Sequence, residues 1–240
     1  MTKHNGWRPA PRAQALLLEP SEDAIGTGII PICGSARSGK TTLALALISW
    51  AARRTSRPFA FVGLPDGYIE ALPDHIRKRA TNPPLADLPT LRDAVVLLDD
   101  TATSLSSRDS TTTQGKMVSR IAGVISHLGL TVILTTQSMA GVDLSLLRFT
   151  EMAPLVKRVD PMALRVERTE WSGELKEAQD ELGGHGFDRS LYWSVADETL
   201  CRHPFEDWMA SDMLSRPFRY LDQSTLDGMI HGTAARGRKK

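Results

Sequence analysis

The sequence predicts an α/β fold with a mainly parallel central sheet and helices on both faces. Three observations predict it. Strand-like and helix-like segments alternate along the 240 residues, the pattern of strands joined by helical crossovers. Residues 94–98 (A-V-V-L-L) form a continuous apolar run of strand length, and 131–135 (T-V-I-L-T) a similar one, as strands covered on both faces do. Residues 29–42 (I-I-P-I-C-G-S-A-R-S-G-K-T-T) run from a β-branched strand through a Gly-containing loop into a helix-forming segment.

Taken in order, the N-terminus M-T-K-H-N-G-W-R-P-A-P-R lacks the apolar stretch of a secretion signal and reads as an arm or strap, spanning 1–27. Residues 28–33 are the first strand of a core running over 28–158. The helix over 40–54 is apolar nearly all round, as a buried helix is. A second strand covers 59–64, and 65–89 is a Pro-rich insertion with a short helix around 74–80. The strand 94–98 ends at Asp99-Asp100. Residues 110–128 carry Met117, Ile121, Val124, Ile125 and Leu128 at helical spacing. The strand 131–135 ends at Thr136-Gln137, a short helix follows over 142–149, and a further strand over 152–156. Beyond 159 the pattern changes: an alternating strand over 162–169, a charged helix over 170–182, a turn over 183–186, a strand over 191–195 and a helix within 204–215. These elements of 159–240 are expected to complete the same domain, with a basic tail at 235–240.

Composition narrows the function classes. Lys and Arg total 29 against 28 Asp and Glu, which excludes a surface coated in basic charge but permits a local basic rim. Two cysteines, Cys33 and Cys201, are too few for a disulfide framework, so a reduced, cytoplasmic protein is expected. The longest apolar stretch, 43–52, falls short of the ~20 residues of a membrane span, so no direct span is expected.

The residues that carry chemistry cluster at strand ends. Gly34, Ser35, Ala36, Arg37, Ser38, Gly39, Lys40, Thr41 and Thr42 fit G-x-x-x-x-G-K-[ST], whose glycines let backbone N–H groups wrap phosphates. The helix starting at Lys40 adds its positive end, Lys40 supplies a point charge to the β- and γ-phosphates, and the Thr41 hydroxyl is placed to ligate Mg²⁺. ATP and Mg²⁺ are the expected cofactors. In V-V-L-L-D-D, Asp99 would hold Mg²⁺, directly or through water, at the crevice where open α/β sheets bind ligands. Asp100 stands where many motor ATPases carry a glutamate that polarises the attacking water. In T-V-I-L-T-T-Q, Gln137 would face the γ-phosphate and that water. A phosphoryl-transfer transition state also needs positive charge that a neighbouring subunit can supply. Arg108, in S-S-R-D-S, ranks first for that role, Arg148 second and Arg120 third.

Together, G-S-A-R-S-G-K-T-T, V-V-L-L-D-D-T-A, the S-R-D-S stretch before a helix ending H-L-G, and V-I-L-T-T-Q-S followed by V-D-L-S-L-L-R resemble the FtsK/HerA superfamily of DNA-pumping ATPases. The likeness is strongest to the genome-packaging ATPases of tailless, membrane-containing icosahedral viruses, and it covers roughly residues 29–168. P-F-E-D-W-M-A-S-D-M-L-S is similar to a Trp-and-Ser helix near the C-terminus of such ATPases. The resemblance implies a RecA-like P-loop NTPase core and a homo-oligomeric ring, usually a hexamer. It also implies a motor driving double-stranded DNA into a preformed capsid, with a capsid or portal-vertex protein as partner. The implied location is the host cytoplasm or the virion's packaging vertex. Two departures stand out. The acidic pair is Asp-Asp rather than Asp-Glu, which leaves the general base open, and the composition is not acidic.

Two other readings compete. A small-molecule kinase would use the 65–89 insertion as an acceptor lid, and the buried T-T-Q strand speaks against it. A nucleotide-dependent phage assembly scaffold of the zonula-occludens-toxin type shares the T-Q segment but usually spans a membrane. A GTPase is disfavoured, because neither Asn5 nor Asn82 lies in an N-K-x-D motif.

Overall fold

The computed structural model describes residues 7–21, 26–65, 67–99, 124–139, 151–165, 169–210 and 214. Among them, eight strands build one sheet: β1 (Gly28–Cys33), β2 (Phe59–Phe61), β3 (Ala80–Thr81), β4 (Val95–Leu98), β5 (Thr131–Thr136), β6 (Leu155–Val156), β7 (Leu191–Ser194) and β8 (Thr199–Arg202). Their spatial order is β3-β2-β4-β5-β1-β6-β7-β8. Neighbours from β3 to β6 pair in parallel, whereas β6–β7 and β7–β8 are antiparallel. The register sets Cys33 opposite Thr136 and Leu98 opposite Leu134, so the chain leaves β1, β4 and β5 on one sheet edge.

Side-chain alternation along the strands divides the core into two layers. Ile30, Ile32, Val95 and Leu97 face α2 (Lys40–Ala52), in which every residue from Leu43 to Ala52 is buried. Ile29, Cys33, Val96 and Leu98 face the other side, with Leu175, Ala178 and Leu182 of the helix Thr169–Gly183. This two-sided cover explains why β1, β4 and β5 read as unbroken apolar runs.

The structure corrects the sequence reading in several places. Where an arm or strap was expected, Pro11–Leu17 form a helix, α1, with Ala13, Leu16 and Leu17 fully buried. Pro11 occupies the first turn, where its missing N–H is no loss, and the Arg12 amide donates to Asp197 Oδ1 at 3.1 Å. At the other end, the buried Arg57 guanidinium donates to the carbonyls of Leu16, Leu17 and Leu18 at 3.4, 3.5 and 3.3 Å. It also reaches Ala94 O at 3.0 Å, Gly129 O at 2.7 Å and Thr131 Oγ1 at 3.0 Å, so one cation ties the C-terminus of α1 to the sheet. Burial lowers its pKa to about 10, opposed by Asp93 and Glu19, which leaves it charged at neutral pH.

Of the strand expected over 162–169, the first residues belong instead to a helical turn, Pro161–Leu164, and 166–168 lie outside the described residues. Asp160-Pro161 is a helix-start pair, and the Leu164 amide donates to Asp160 O at 3.3 Å, so this start signal overrides the short alternation. The Pro-rich 65–89 segment is more than an insertion, since its Ala80–Thr81 pairs with β2 as the sheet edge. Strand β8 was not anticipated; it follows a tight turn in which Glu198 has φ 45°. Within 204–215, where a helix is expected, the described residues show a 3-10 turn at Asp207–Ala210 and a helical Leu214. Glu206 fastens that segment to α2 by accepting from Ser49 Oγ (3.1 Å), Arg53 (3.1 Å) and Trp208 Nε1 (3.0 Å). The helix expected over 142–149 lies outside the described residues, as does most of that over 110–128.

Candidate functional site

The loop after β1 is shaped by close backbone approach. A Cβ on Gly34 would lie 2.7 Å from Lys157 Cβ and 2.8 Å from Ser38 Oγ, so only glycine fits. Arg37 and Gly39 take positive φ, 63° and 93°, which turns the chain back to begin α2. The loop is pinned by Gly34 N–H to Thr136 O (3.1 Å) and Ser35 N–H to Arg158 O (2.9 Å). Lys40 is buried, and its ammonium donates to Ser35 O at 3.2 Å, folding over the loop. The buried hydroxyls of Ser35 and Ser38 have no hydrogen-bond partner among the described residues. Buried polar groups are rarely left so, and both hydroxyls belong to the loop that fits the phosphate-binding motif.

Asp99 ends β4 beside this loop and is 7% exposed. Thr41 Oγ1 donates to its carboxylate at 3.1 Å, and Thr135 Oγ1, from β5, donates to Oδ1 at 2.5 Å. The sheet order supplies the reason: β5 lies between β1 and β4, so its last residues separate the loop from the acidic strand end. Beneath them Tyr68 is buried, and its pKa is raised by burial and by the charge of Asp99. A carboxylate and a hydroxyl are hard oxygen donors too few to cage an ion alone. Among the described residues, no group of three or more His, Cys, Asp or Glu is placed to hold a metal ion. Such a donor set suits an ion that arrives with phosphate oxygens and water, as Mg²⁺ does.

The structure therefore brings together Gly34 through Thr42 with Asp99. Gln137 lies on the same edge, one residue past β5, and is exposed. Asp100, Arg108, Arg120 and Arg148 lie outside the described residues. Sequence reasoning missed Thr135 and Tyr68. The first was legible as the hydroxyl two residues before Gln137 on a strand flanking the loop; the second carries no local signal.

It also missed the support behind the loop. Lys157, from the end of β6, is 1% exposed and donates to Arg189 O at 2.5 Å and to His203 Nε2 at 3.2 Å. Of the His203 ring nitrogens, Nδ1 faces Pro204 O at 2.9 Å, and Nε2 faces Arg189 O at 3.1 Å as well as the Lys157 ammonium. Desolvation lowers Lys157 to about 7, opposed by the Asp188 carboxylate. It also lowers His203 to about 4, with the charge of Lys157 adding to the effect. A Cβ on Gly39 would meet Arg189 O at 3.1 Å, so this buried pair holds the 185–190 turn directly against the phosphate loop.

Solved structures resemble this fold. EccC (ATPases 2 and 3) of Thermomonospora curvata, in complex with a signal sequence peptide, superposes with a TM-score of 0.50 at 11% identity. That match covers 85% of this chain and 43% of that one. The fold is that of a P-loop ATPase. The genome packaging NTPase B204 of Sulfolobus turreted icosahedral virus 2, in complex with AMP, gives 0.49 at 13% identity, over 75% of this chain and 98% of that one. The N-terminal domain of zonular occludens toxin from Neisseria meningitidis gives 0.43 at 12%, over 76% and 96%. No protein-family model and no curated protein sequence matches the chain. Among the described residues, no helix of this P-loop fold is long and apolar enough to cross a membrane.

Proposed function

We propose that this chain is a Mg²⁺-dependent ATPase whose ring moves double-stranded DNA into a preformed capsid. The observation that carries the ATPase part is the meeting of Thr41, Asp99 and Thr135 at the mouth of a phosphate loop with two unpaired buried hydroxyls. Residues 28–158 form the nucleotide-handling core. Lys40 neutralises the β- and γ-phosphates, the loop amides hold them, and Thr41 and Asp99 would hold Mg²⁺, which would supply further positive charge to the phosphate oxygens. Asp100 takes the proton of the attacking water, Gln137 orients that water, and Arg108 of a neighbouring subunit, with Arg148 as second candidate, meets the charge of the transition state. The sequence motifs shared with packaging ATPases support the DNA-moving part.

The ring is tested by mixing two inactive proteins. Arg108→Ala keeps its own loop and loses its finger, whereas Lys40→Ala keeps the finger and loses its loop. An arginine finger is worth ~10³–10⁵ in rate, so each alone is nearly silent and the mixture regains turnover. Mixtures no more active than their components, at any ratio, with duplex DNA present, contradict the shared site. Phosphate transfer to a metabolite, or binding without turnover, would replace this reading with the kinase or the scaffold.

A further inference from the structure

The two glycines of the phosphate motif share one neighbour that the reaction described above does not use. Lys157 follows β6, and its amide donates to Cys33 O at 2.7 Å, which carries the pairing of β6 with β1 on to the start of the loop. A Cβ on Gly34 would lie 2.7 Å from Lys157 Cβ, and one on Gly39 would lie 3.6 Å from Lys157 Cε. The side chain therefore runs along the back of the loop from its first glycine to its last. It is 1% exposed, so the ammonium at its end is shut off from water.

The groups around that ammonium leave it without a close counter-charge. Its Nζ donates to Arg189 O at 2.5 Å and lies 3.2 Å from His203 Nε2, a carbonyl and an imidazole where a carboxylate would balance it. Asp188, on the 185–190 turn, is engaged by Ser190 and Arg202 instead, and those bonds hold it ionised at about 2. Burial, with the charge of Lys157 adding to it, keeps His203 neutral by lowering it to about 4. Tyr192, whose ring lies 6.4 Å from that of His203, is raised by burial and stays protonated. The Arg158 and Arg189 guanidinium groups lie over Phe187, and Lys40 folds over the loop to Ser35 O. Lys157 is thus the group of this cluster that titrates near neutrality, lowered to about 7 by desolvation and opposed only by Asp188. A buried cation without a paired anion is costly, and the anion that this loop is shaped to hold is a polyphosphate.

We propose that Lys157 is a positioning residue of the phosphate site: held behind both loop glycines, its ammonium is balanced by the phosphates of a bound nucleotide and helps to hold them through the loop. The proposal rests on the nucleotide reading above. An anion nearby favours the charged form of a lysine, so binding draws a proton from solvent onto Nζ. A single charge within about 10 Å, at an effective dielectric of about 20, is worth about tenfold or more in affinity. Half of the free chain already carries the proton at about pH 7, so about fivefold of that is realised there. The test is equilibrium binding of ATP in EDTA to the full chain and to Lys157→Met, from about pH 7 to about pH 9.5. Methionine keeps the length of the stem, and His203 Nε2–H, 3.1 Å from Arg189 O, takes over that carbonyl, so the 185–190 turn stays in place. Lys157→Met should bind ATP about fivefold or more weakly at pH 7 and equally well at pH 9.5, where the original lysine has lost its proton. Calorimetry at about pH 8, in buffers of different ionisation heat, should show the original chain taking up roughly half a proton per ATP, and Lys157→Met correspondingly less. The proposal is overturned if Lys157→Met binds ATP at pH 7 as the original does, or if it is weaker by the same factor at every pH, the mark of a merely structural role. Binding to the original chain without proton uptake overturns it too, whether or not the variant folds. Should the original chain not bind ATP at any pH, the phosphate-loop reading itself fails and this one with it.

Discussion

Thr135→Val removes one hydroxyl from the buried centre of the site and keeps the shape of the side chain. Thr135 is 3% exposed on β5, opposite Ile32, and its Oγ1 donates to Asp99 Oδ1 at 2.5 Å. A hydrogen bond to a charged group contributes about 1.5–3 kcal/mol, and valine presents a methyl to the carboxylate in its place. For a chain of this length ~2–4 °C of Tm follows each kcal/mol, so the apo protein should melt about 3–12 °C lower. The larger consequence is for ligand. Thr41 also donates to Asp99, but under the proposed function its hydroxyl would turn to the metal when Mg²⁺·ATP binds, and Thr135 would then keep the carboxylate in place. Affinity for Mg²⁺·ATP should fall at least about tenfold, equivalent to ~1.4 kcal/mol, while affinity for ATP in EDTA is unchanged. Thr135→Ser should recover most of both losses. In the Asp99→Asn background the same substitution should cost much less, because contacting residues are not additive. Calorimetric titration with and without Mg²⁺, alongside thermal melts, reads all of this. Thr135→Val protein that melts and binds Mg²⁺·ATP as the original does refutes the reasoning.

Three other outcomes are expected. Asp99→Asn should weaken Mg²⁺-dependent nucleotide binding, whereas Asp100→Asn should bind nucleotide and fail to hydrolyse it, since a carboxamide cannot take the proton; normal hydrolysis by both would make the pair a mere strand cap. Arg57→Leu strips the guanidinium from the carbonyls of Leu16, Leu17, Leu18, Ala94 and Gly129, and should lower stability by about 3 kcal/mol or more in urea titrations; a loss under about 1 kcal/mol would show that α1 is held by packing alone. Stability should also respond to pH in two windows. His203 binds its proton near 4 when folded against 6.5 unfolded, so the unfolded chain holds more protons in between, and stability is lost as pH falls from 6.5 to 4. Lys157, near 7 folded against 10.5 unfolded, makes its contribution rise as pH climbs from 7 to 10.5. Lys157→Met should flatten the upper window in urea midpoints taken across pH, and an unchanged slope would count against the buried cation.

Local order in the chain decided what the sequence revealed. The phosphate loop and Asp99 were legible because each sits where a strong pattern stops: an unbroken apolar strand, then glycines or carboxylates. The parallel register places β5 between β1 and β4. Helix α1 was hidden because its apolar positions are few and its ends are satisfied by distant groups, Asp197 and Arg57, that no window around residue 12 contains. Lys157 and His203 were hidden for the same reason, since 46 residues separate them and burial alone makes them notable. Residues 162–169 misled because four alternating side chains outweighed the Asp160-Pro161 start signal.

The central claim is most directly tested by ATP hydrolysis measured with and without long duplex DNA over a series of salt concentrations. The account predicts Mg²⁺-dependent turnover that rises with duplex DNA and is abolished in well-folded Lys40→Ala protein. Its stimulation should fall steeply as salt releases the contacts to DNA phosphates. Turnover that persists in Lys40→Ala, or a monomeric enzyme whose rate ignores DNA at every salt concentration, would contradict it.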